Sequence, residues 1–349
     1  MAEMTSLERC MIVLQGGIPD RTPVCLENFM QAAAVAGYSV REYCLDGEKM
    51  AEAHIKTWQK FRHDMIDVEN GVAALAQAVG CHVEFYDDDA SPPWVAGPAL
   101  ESIEQVDELK PIDVYQDATL PEVIKATRQI AKELGQQVCL LSEADQGPFS
   151  LAAQIVDPQE FLVALLNPKK EAYVHRLLEY AYEQTLNYAR SLIEAGAHFT
   201  MMGESIAGPD VCSPKVYREF AFPYQKRLVD TLRAEGKQIG LHICGNATRI
   251  IEDMVDTGAA FLQVDYKIDH DACKRATQGK TTLIGTVDPS GVMALGTSED
   301  VRQAARYDID HLAPGGGFIL SPGCTLPYTT PDENVSALVE TARAYGRHG

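Results

Sequence analysis

Short runs of apolar and β-branched residues alternate along this chain with longer segments whose apolar residues recur at helical spacing. The short runs predict eight strands, at residues 23–27, 65–69, 138–142, 199–203, 238–242, 261–265, 282–286 and 318–321. Helix-start signals stand between them, at Ser213-Pro214, Asn246, Thr297 and Thr330-Pro331. Strands that alternate with helices in this way predict a parallel sheet.

The number of predicted strands is the number that closes a parallel sheet into a barrel. We therefore expect an α/β fold, a single TIM-type (β/α)8 barrel that forms one domain over residues 1–349, with a helical extension at its N-terminus. An open, doubly wound sheet is the alternative. It is less favoured, because no glycine-rich dinucleotide-binding motif follows the first strand.

Polar residues stand at the end of nearly every predicted strand, which supports a barrel independently of the strand count. Active sites of such barrels gather at the carboxyl ends of the strands, where one rim faces a shared pocket. The residues concerned include Glu27, Asn28, Glu69, Glu143, Glu204, His242, Asp265 and Cys324. The alternative for any one of them is an ordinary solvent-facing strand end.

The charge balance narrows the class of partner. The chain has 30 basic and 50 acidic residues, a formal net charge of −20, which argues against nucleic acid or an anionic membrane as the main partner. Its first residues lack the basic start and apolar run of a secretory signal. No stretch approaches the ~18 apolar residues of a membrane span. We expect a cytoplasmic protein, and its odd number of cysteines, nine, argues against a disulfide framework.

A candidate metal site is contained in the segment HICGN, residues 242–246. Residues two apart on an extended segment point to the same side, so the His242 imidazole and the Cys244 thiolate can face one ion. Cys324 follows the eighth predicted strand, and a closed barrel returns it to the same rim. Three protein ligands with one open position are the pattern of catalytic zinc. A core histidine beside a core cysteine is the alternative interpretation of the short motif.

The chain resembles the uroporphyrinogen decarboxylase superfamily and, within it, the zinc-dependent corrinoid methyltransferases. The resemblance begins with GGIPDRTPV at residues 16–24 and strengthens after residue 203. It continues through SPKVYREFAFP at 213–223, HICGN at 242–246, GTVDP at 285–289, GTSEDV at 296–301 and ILSPGCTLPYTTPDEN at 319–334. The resemblance implies zinc bound by His242, Cys244 and Cys324. It also implies a corrinoid cofactor, cobalamin, which a partner corrinoid protein must supply, because the Asp-x-His-x-x-Gly corrinoid motif is absent here.

The resemblance leaves the direction of methyl transfer open. We favour transfer from a small methoxy compound to the cobalt of the corrinoid protein, since residues 65–86 and 315–326 are similar to the O-demethylase type. This resemblance implies an aromatic O-methyl donor. A thiol methyltransferase of the coenzyme M type is the first alternative. A decarboxylase is the second, disfavoured because CLENF at residues 25–29 replaces the arginine-rich loop that would grip a polycarboxylate. A metal-storage or docking module without turnover is the third.

Several strand-end residues are candidates for supporting roles. We expect Glu204 to donate a proton or to act as a fourth ligand, and Asp265 to accept a hydrogen bond from His242. Candidate substrate contacts are Asn28, Glu69, Glu143 and Tyr266. The alternative is that the acids cap the helices that follow them and that Tyr266 only packs. A second ligand pattern of the O-demethylase type would use Glu69 and Glu84 with a histidine, but Gln105 stands at the histidine position.

Overall fold

Eight parallel strands, arranged in chain order, form the central sheet of this computed structural model, which describes residues 4–347. A separate two-stranded antiparallel hairpin lies beside it. The strands are β1 Cys25–Leu26, β2 Met65–Val68, β3 His82–Glu84, β4 Trp94–Gly97, β5 Cys139–Gln146, β6 Phe199–Gly203, β7 Ile239–Ile243, β8 Phe261–Val264, β9 Thr282–Val287 and β10 Phe318–Pro322. The sheet has the order β1-β2-β5-β6-β7-β8-β9-β10, and β3 pairs with β4.

The sheet closes on itself between its first and last strands. Val24 forms a parallel bridge with Leu320, whose backbone N–H donates to the carbonyl of Pro23 at 2.9 Å. All eight predicted strands are present, and the predicted TIM-type barrel is confirmed. The hairpin β3–β4 was not predicted from the sequence, and β5 runs further than predicted, through Glu143 to Gln146.

Helices surround the barrel and connect its strands. The α-helices of the described residues are α1 Ser6–Leu14, α2 Phe29–Ala36, α3 Val40–Leu45, α4 Gly47–Phe61, α5 Ala74–Val79, α6 Leu120–Leu134, α7 Pro148–Val156, α8 Pro158–Leu165, α9 Glu171–Glu194, α10 Pro214–Val216, α11 Phe222–Ala234, α12 Ile251–Asp256, α13 His270–Thr277, α14 Ser298–Leu312 and α15 Asp332–Ala344. Short 3₁₀ segments occupy Ile103–Glu108 and Ala247–Ile250, and π segments occupy Tyr217–Ala221 and Pro289–Ala294. Among residues 4–347, no helix is long and apolar enough to cross a bilayer.

The predicted helix start at Thr297 is confirmed. The helix predicted after Asn246 begins with a 3₁₀ segment, and the last helix begins at Asp332 after Pro331. Ser213 accepts a hydrogen bond from the N–H of Val216 as an N-cap, but the helix it opens passes through the π segment before continuing as α11. Pro223 lies two residues beyond the last residue of this segment and has no N–H to donate to the preceding turn. The extra residue per turn accommodates that missing hydrogen bond.

Helix α1 closes the amino-terminal end of the barrel, as expected for a helical extension. Its Cys10 and Val13 pack into the barrel interior, and the Thr282 hydroxyl donates to the carbonyl of Val13 at 3.0 Å. A buried ion network fixes the helix in place. The carboxylate of Asp64 accepts from Arg9 Nη1 at 2.8 Å and from Arg21 Nη1 at 2.7 Å. Helix α1 therefore covers the barrel interior at this end.

The barrel interior is divided into an apolar lower layer and a polar upper layer. The lower layer consists of Cys25, Met65, Cys139, Leu141, Phe199, Met201, Phe261, Ile284 and Ile319. Side chains alternate between the two faces of a strand, so the next inward positions toward the carboxyl end lie two residues further along. Those positions are Glu27, Asp67, Glu69, Glu143 and Gln263, with His242 on β7. Acids and a histidine thus lie directly above a hydrophobic floor.

Candidate metal centre

His242, Cys244 and Cys324 meet at the carboxyl-terminal rim of the barrel. Their ligand-type atoms all lie within 4.8 Å of one another, and His242 Nε2 is 3.1 Å from Cys244 Sγ. His242 is buried in β7, whereas the two cysteines are partly exposed. The structure therefore brings together the residues predicted to bind a metal, including Cys324 from the far end of the sequence.

Two tight turns place the cysteines. After Cys244 the backbone turns at Gly245, whose φ of +76° suits glycine and where a side chain would clash with the Asp210 carboxylate. Before Cys324, a Cβ on Gly323 would stand 2.7 Å from the backbone nitrogen of Tyr266. The Gly323 N–H donates to the carbonyl of Val287 at 2.8 Å, which ties this turn to β9. Both turns rest on neighbouring strands of the barrel, so the positions of the ligands follow from its closure.

This donor set fits a zinc ion. Zinc binds imidazole nitrogen and thiolate sulfur at about 2.0–2.3 Å, so tetrahedral neighbours stand roughly 3.3–3.8 Å apart. The separations here reach that range with small side-chain adjustments. Two thiolates neutralise the charge of the ion, and three ligands leave one coordination position for a substrate atom. His242 Nδ1 is buried and has no hydrogen-bond partner among the described residues.

The electrostatic environment of these ligands couples them to one another. Burial disfavours the imidazolium, but the hydrogen bond to Cys324 and the negative charge of Glu27 together raise the pKa of His242 to about 9. The hydrogen bond with Cys244, with burial second, raises the pKa of the Cys324 thiol. His242 and Cys324 thus hold protons that a metal ion would displace on binding.

A cluster of carboxyl side chains, the carboxyl cluster, lies beside His242 and Cys324 in the upper layer. Carboxylate oxygens of Glu27, Glu69 and Glu143 lie within 4.8 Å of one another, and the buried Asp67 lies next to Glu69 and Glu143. Burial raises the pKa of Asp67 well above its ordinary range, and Glu69 adds to this effect. Burial likewise raises the pKa of Glu69 to about 7. Part of the group therefore keeps its protons at neutral pH.

Glu204 and Asp265 both accept hydrogen bonds from backbone N–H groups. The role of Glu204 as proton donor or fourth ligand stays a prediction. The Glu204 carboxylate accepts from the backbone N–H of Phe149 at 3.2 Å and of Ser150 at 2.8 Å, so it caps α7 as in the capping alternative. Asp265 forms no hydrogen bond with His242, which corrects that expectation. Its Oδ2 accepts from the Gly245 N–H at 2.8 Å instead, and its Oδ1 is buried without a partner among the described residues. The turn after Cys244 needs that acceptor, because its amide would otherwise be unpaired.

The four candidate substrate contacts occupy different environments. Glu69 and Glu143 belong to the carboxyl cluster described above, and Glu143 is partly exposed. Asn28 is buried and donates through Nδ2 to Gln31 Oε1 at 3.0 Å, while its own Oδ1 is buried without a partner within residues 4–347. Tyr266 is 38% exposed at the rim, with the Lys267 ammonium 5.7 Å from its ring centre. The alternative ligand Glu84 lies exposed in the hairpin, 3.7 Å from His82, whereas Glu69 is buried.

Two residues of the upper layer were not predicted from the sequence. Asp67 is completely buried, and Gln263 Nε2 donates to Glu27 Oε2 at 2.8 Å. The alternation of β2 contained the signal for Asp67, since positions 65, 67 and 69 share one face. Gln263 occupies the corresponding place in β8, two residues before Asp265.

Residues 5–345 match the family model described as uroporphyrinogen decarboxylase (URO-D). The chain is 26% identical over 349 residues to the methylcobamide:CoM methyltransferase MtaA of Methanosarcina barkeri, covering 99% of both chains. It is 29% identical over 353 residues to the methylcobamide:CoM methyltransferase MtbA of Methanosarcina acetivorans, again covering 99% of both. A solved structure of a methyltransferase from Methanosarcina mazei superposes with a TM-score of 0.88 at 26% identity, covering 98% of this chain and 99% of that one.

Proposed function

The chain belongs to the uroporphyrinogen decarboxylase (URO-D) family, and within it we propose a corrinoid-dependent methyltransferase that holds zinc on His242, Cys244 and Cys324. The observation that carries this proposal is the convergence of one imidazole and two thiols at the open rim of the barrel. Similarity to methyltransferases over 99% of both chains supports it. The carboxyl-lined interior disfavours a decarboxylase of polycarboxylate substrates, which would meet like charges there.

When bound, zinc supplies a Lewis acid that polarises a substrate oxygen or keeps a substrate sulfur deprotonated at neutral pH. The protein's own residues position the reaction. Asp265 holds the Gly245 amide and so fixes Cys244 relative to His242. The hydrophobic floor and α1 exclude water from below, so the substrate and the corrinoid both approach from the rim.

We propose that the methyl group comes from a methoxy compound and moves to the reduced cobalt of a separate corrinoid protein. The carbon–oxygen bond breaks, the cobalt supplies the electron pair of the new bond, and the departing oxygen takes up a proton. A proton source is therefore needed beside the metal ligands. The carboxyl side chains of Asp67, Glu69 and Glu143 provide this proton source, because burial raises the pKa of each and keeps some of them protonated.

Methylation of a thiol by a methylated corrinoid protein is the second candidate. It is favoured by the relatives named methylcobamide:CoM methyltransferases, which are 26–29% identical to this chain. That reaction releases a proton from the thiol instead of consuming one. Glu69 of the same cluster, with its pKa of about 7, would then accept that proton.

The experiment measures zinc and activity in the wild type, in Cys324→Ser and in Cys81→Ser as a matched control. Cys81 is a buried cysteine outside the metal centre, so its replacement should change neither zinc content nor turnover. We expect about one zinc per chain in the wild type and in the control, and little in Cys324→Ser. Wild-type protein that is prepared without chelator and contains no zinc would contradict the metal assignment.

The direction of transfer is decided with the same zinc-loaded protein. One assay supplies methoxybenzenes with a reduced corrinoid protein and follows methylation of the cobalt. The other supplies methylcobalamin with coenzyme M and follows loss of the methyl–cobalt bond. Turnover in the first assay alone supports the methoxy donor, and turnover in the second alone replaces it with the thiol acceptor. No turnover in either assay with intact zinc would argue against a methyltransferase.

A further inference from the structure

The carboxyl cluster in the upper layer of the barrel is a second set of ligand-type side chains, and it lies beside His242, Cys244 and Cys324. Oxygens of Glu27, Glu69 and Glu143 all lie within 4.8 Å of one another. Within residues 4–347, none of the ion pairs includes any of these three carboxylates. Three acids in mutual contact repel one another unless protons or a cation separate their charges.

One further side chain points to a positive partner for these acids. Oε1 of Gln263, a residue that is only 1% exposed, has no hydrogen-bond partner among the described residues. The Gln263 amide is anchored by its Nε2 to Glu27 Oε2 at 2.8 Å, which holds its oxygen beside the carboxyl cluster. A buried acceptor without a donor is rare. The buried Asp67 carboxyl differs, because it hydrogen-bonds the Glu143 carboxyl and needs no added partner.

We propose that Glu27, Glu69 and Glu143, with the amide oxygen of Gln263, bind one hard divalent cation of the Mg²⁺, Ca²⁺ and Mn²⁺ class. These ions prefer carboxylate and amide oxygens at about 2.0–2.6 Å, so opposite ligands of one ion stand roughly 4–5 Å apart. The oxygen–oxygen separations among Glu27, Glu69 and Glu143 fall within this limit. Soft thiolates and imidazole are the better ligands for zinc, so the two sites sort their ions by ligand chemistry.

With the cation bound, the carboxyl cluster can still supply a proton for the proposed methyl transfer. Two negative charges neutralise the dication, and the remaining carboxyls keep their protons. The ion also places positive charge beside the His242 site, where an anionic group of a substrate would otherwise face carboxylates alone. The site is defined by its oxygens, so it does not depend on the direction of methyl transfer.

The test is titration of the zinc-loaded full-length protein with Mn²⁺, followed by electron paramagnetic resonance of the free ion. We expect about one Mn²⁺ per chain, displaced by Mg²⁺ or Ca²⁺, with zinc retained. Glu143→Gln should weaken Mn²⁺ binding at least about tenfold and leave zinc at its wild-type content. Glu84→Gln, which changes an exposed acid in the hairpin, is the matched control and should bind both ions as the wild type does.

Glu69→Gln provides a second variant if Glu143→Gln does not fold, and circular dichroism verifies the fold of each. Zinc-loaded wild type that binds no Mn²⁺ at millimolar concentration would overturn the inference, as would unchanged Mn²⁺ affinity in a folded Glu143→Gln or Glu69→Gln. Mn²⁺ that binds only by displacing zinc would overturn it too. Zinc content, measured on the same samples, distinguishes this failure from failure of the proposed function.

Discussion

Replacing Glu204 with glutamine separates the capping role of this residue from a role in proton transfer. Glu204 is completely buried, and its carboxylate accepts from the N–H groups of Phe149 and Ser150 at the start of α7. Burial outweighs these hydrogen bonds and raises its pKa from 4.5 to about 7. Glutamine keeps the shape and one acceptor oxygen but cannot ionise.

The expected change in the free energy of unfolding follows from the pKa of Glu204. Between pH 4.5 and 7 the native carboxyl keeps a proton that the unfolded chain has lost, so the free energy of unfolding falls as pH rises. A rise from 4.5 to about 7 corresponds to about 3 kcal/mol, reached in full above pH 7. At pH 5 the variant should be less stable than the wild type by about 1 kcal/mol, because one of the two N–H groups loses its acceptor. At pH 8 it should be the more stable of the two.

Urea unfolding at several pH values between 5 and 8, followed by tryptophan fluorescence, measures this difference. Glu219→Gln is the control, since Glu219 is exposed and its replacement should leave the pH dependence unchanged. A difference between Glu204→Gln and wild type that is constant over this range would refute the assigned pKa. Methyl transfer at the wild-type rate in the variant would leave Glu204 as a helix cap only, whereas a loss of turnover with intact zinc would restore it as a proton donor.

Three further predictions follow from other contacts. Asp64→Asn leaves Arg9 and Arg21 without their buried partner and should destabilise the protein by about 3–5 kcal/mol in urea unfolding, while a loss below about 1 kcal/mol would contradict the assigned role of the network. Asp265→Asn weakens the acceptor that holds Gly245 and should lower zinc affinity by about 10–100-fold in a chelator competition, so an unchanged affinity would separate this turn from metal binding. Gly240→Ala drives a methyl group into the Phe261 ring below His242 and should lower the free energy of unfolding by about 1–3 kcal/mol, an expectation that an unchanged urea midpoint would contradict.

The sequence predicted the barrel and the meeting of His242, Cys244 and Cys324 at its rim, because both depend on periodic or local patterns. Alternating strands and helices indicated the fold, and closure of eight strands was enough to place Cys324 beside His242 and Cys244. The cap signals at Ser213 and Thr297 were equally local, and the structure contains both caps.

Contacts between distant elements could not be predicted in the same way. Both Glu204 and Asp265 stand at strand ends, but which N–H group each accepts from depends on how α7 and the turn after Cys244 pack against the barrel. The hairpin β3–β4 is short, and only one of its residues, Trp94, stacks on an aromatic ring, that of Tyr86. Strands this short cannot show the strong alternation of apolar and polar residues by which a strand is recognised in a sequence.

The bridge between Val24 and Leu320 has a consequence for how the protein folds during synthesis. It joins positions almost 300 residues apart, so β1 is made long before β10 and must wait for it before the sheet can close. Until then β1 and the growing end of the sheet both present unpaired backbone groups, which are templates for pairing with other chains. Folding intermediates of this protein should thus be most prone to aggregate just before the last strand leaves the ribosome, and chaperones that shield strand edges should act in that interval.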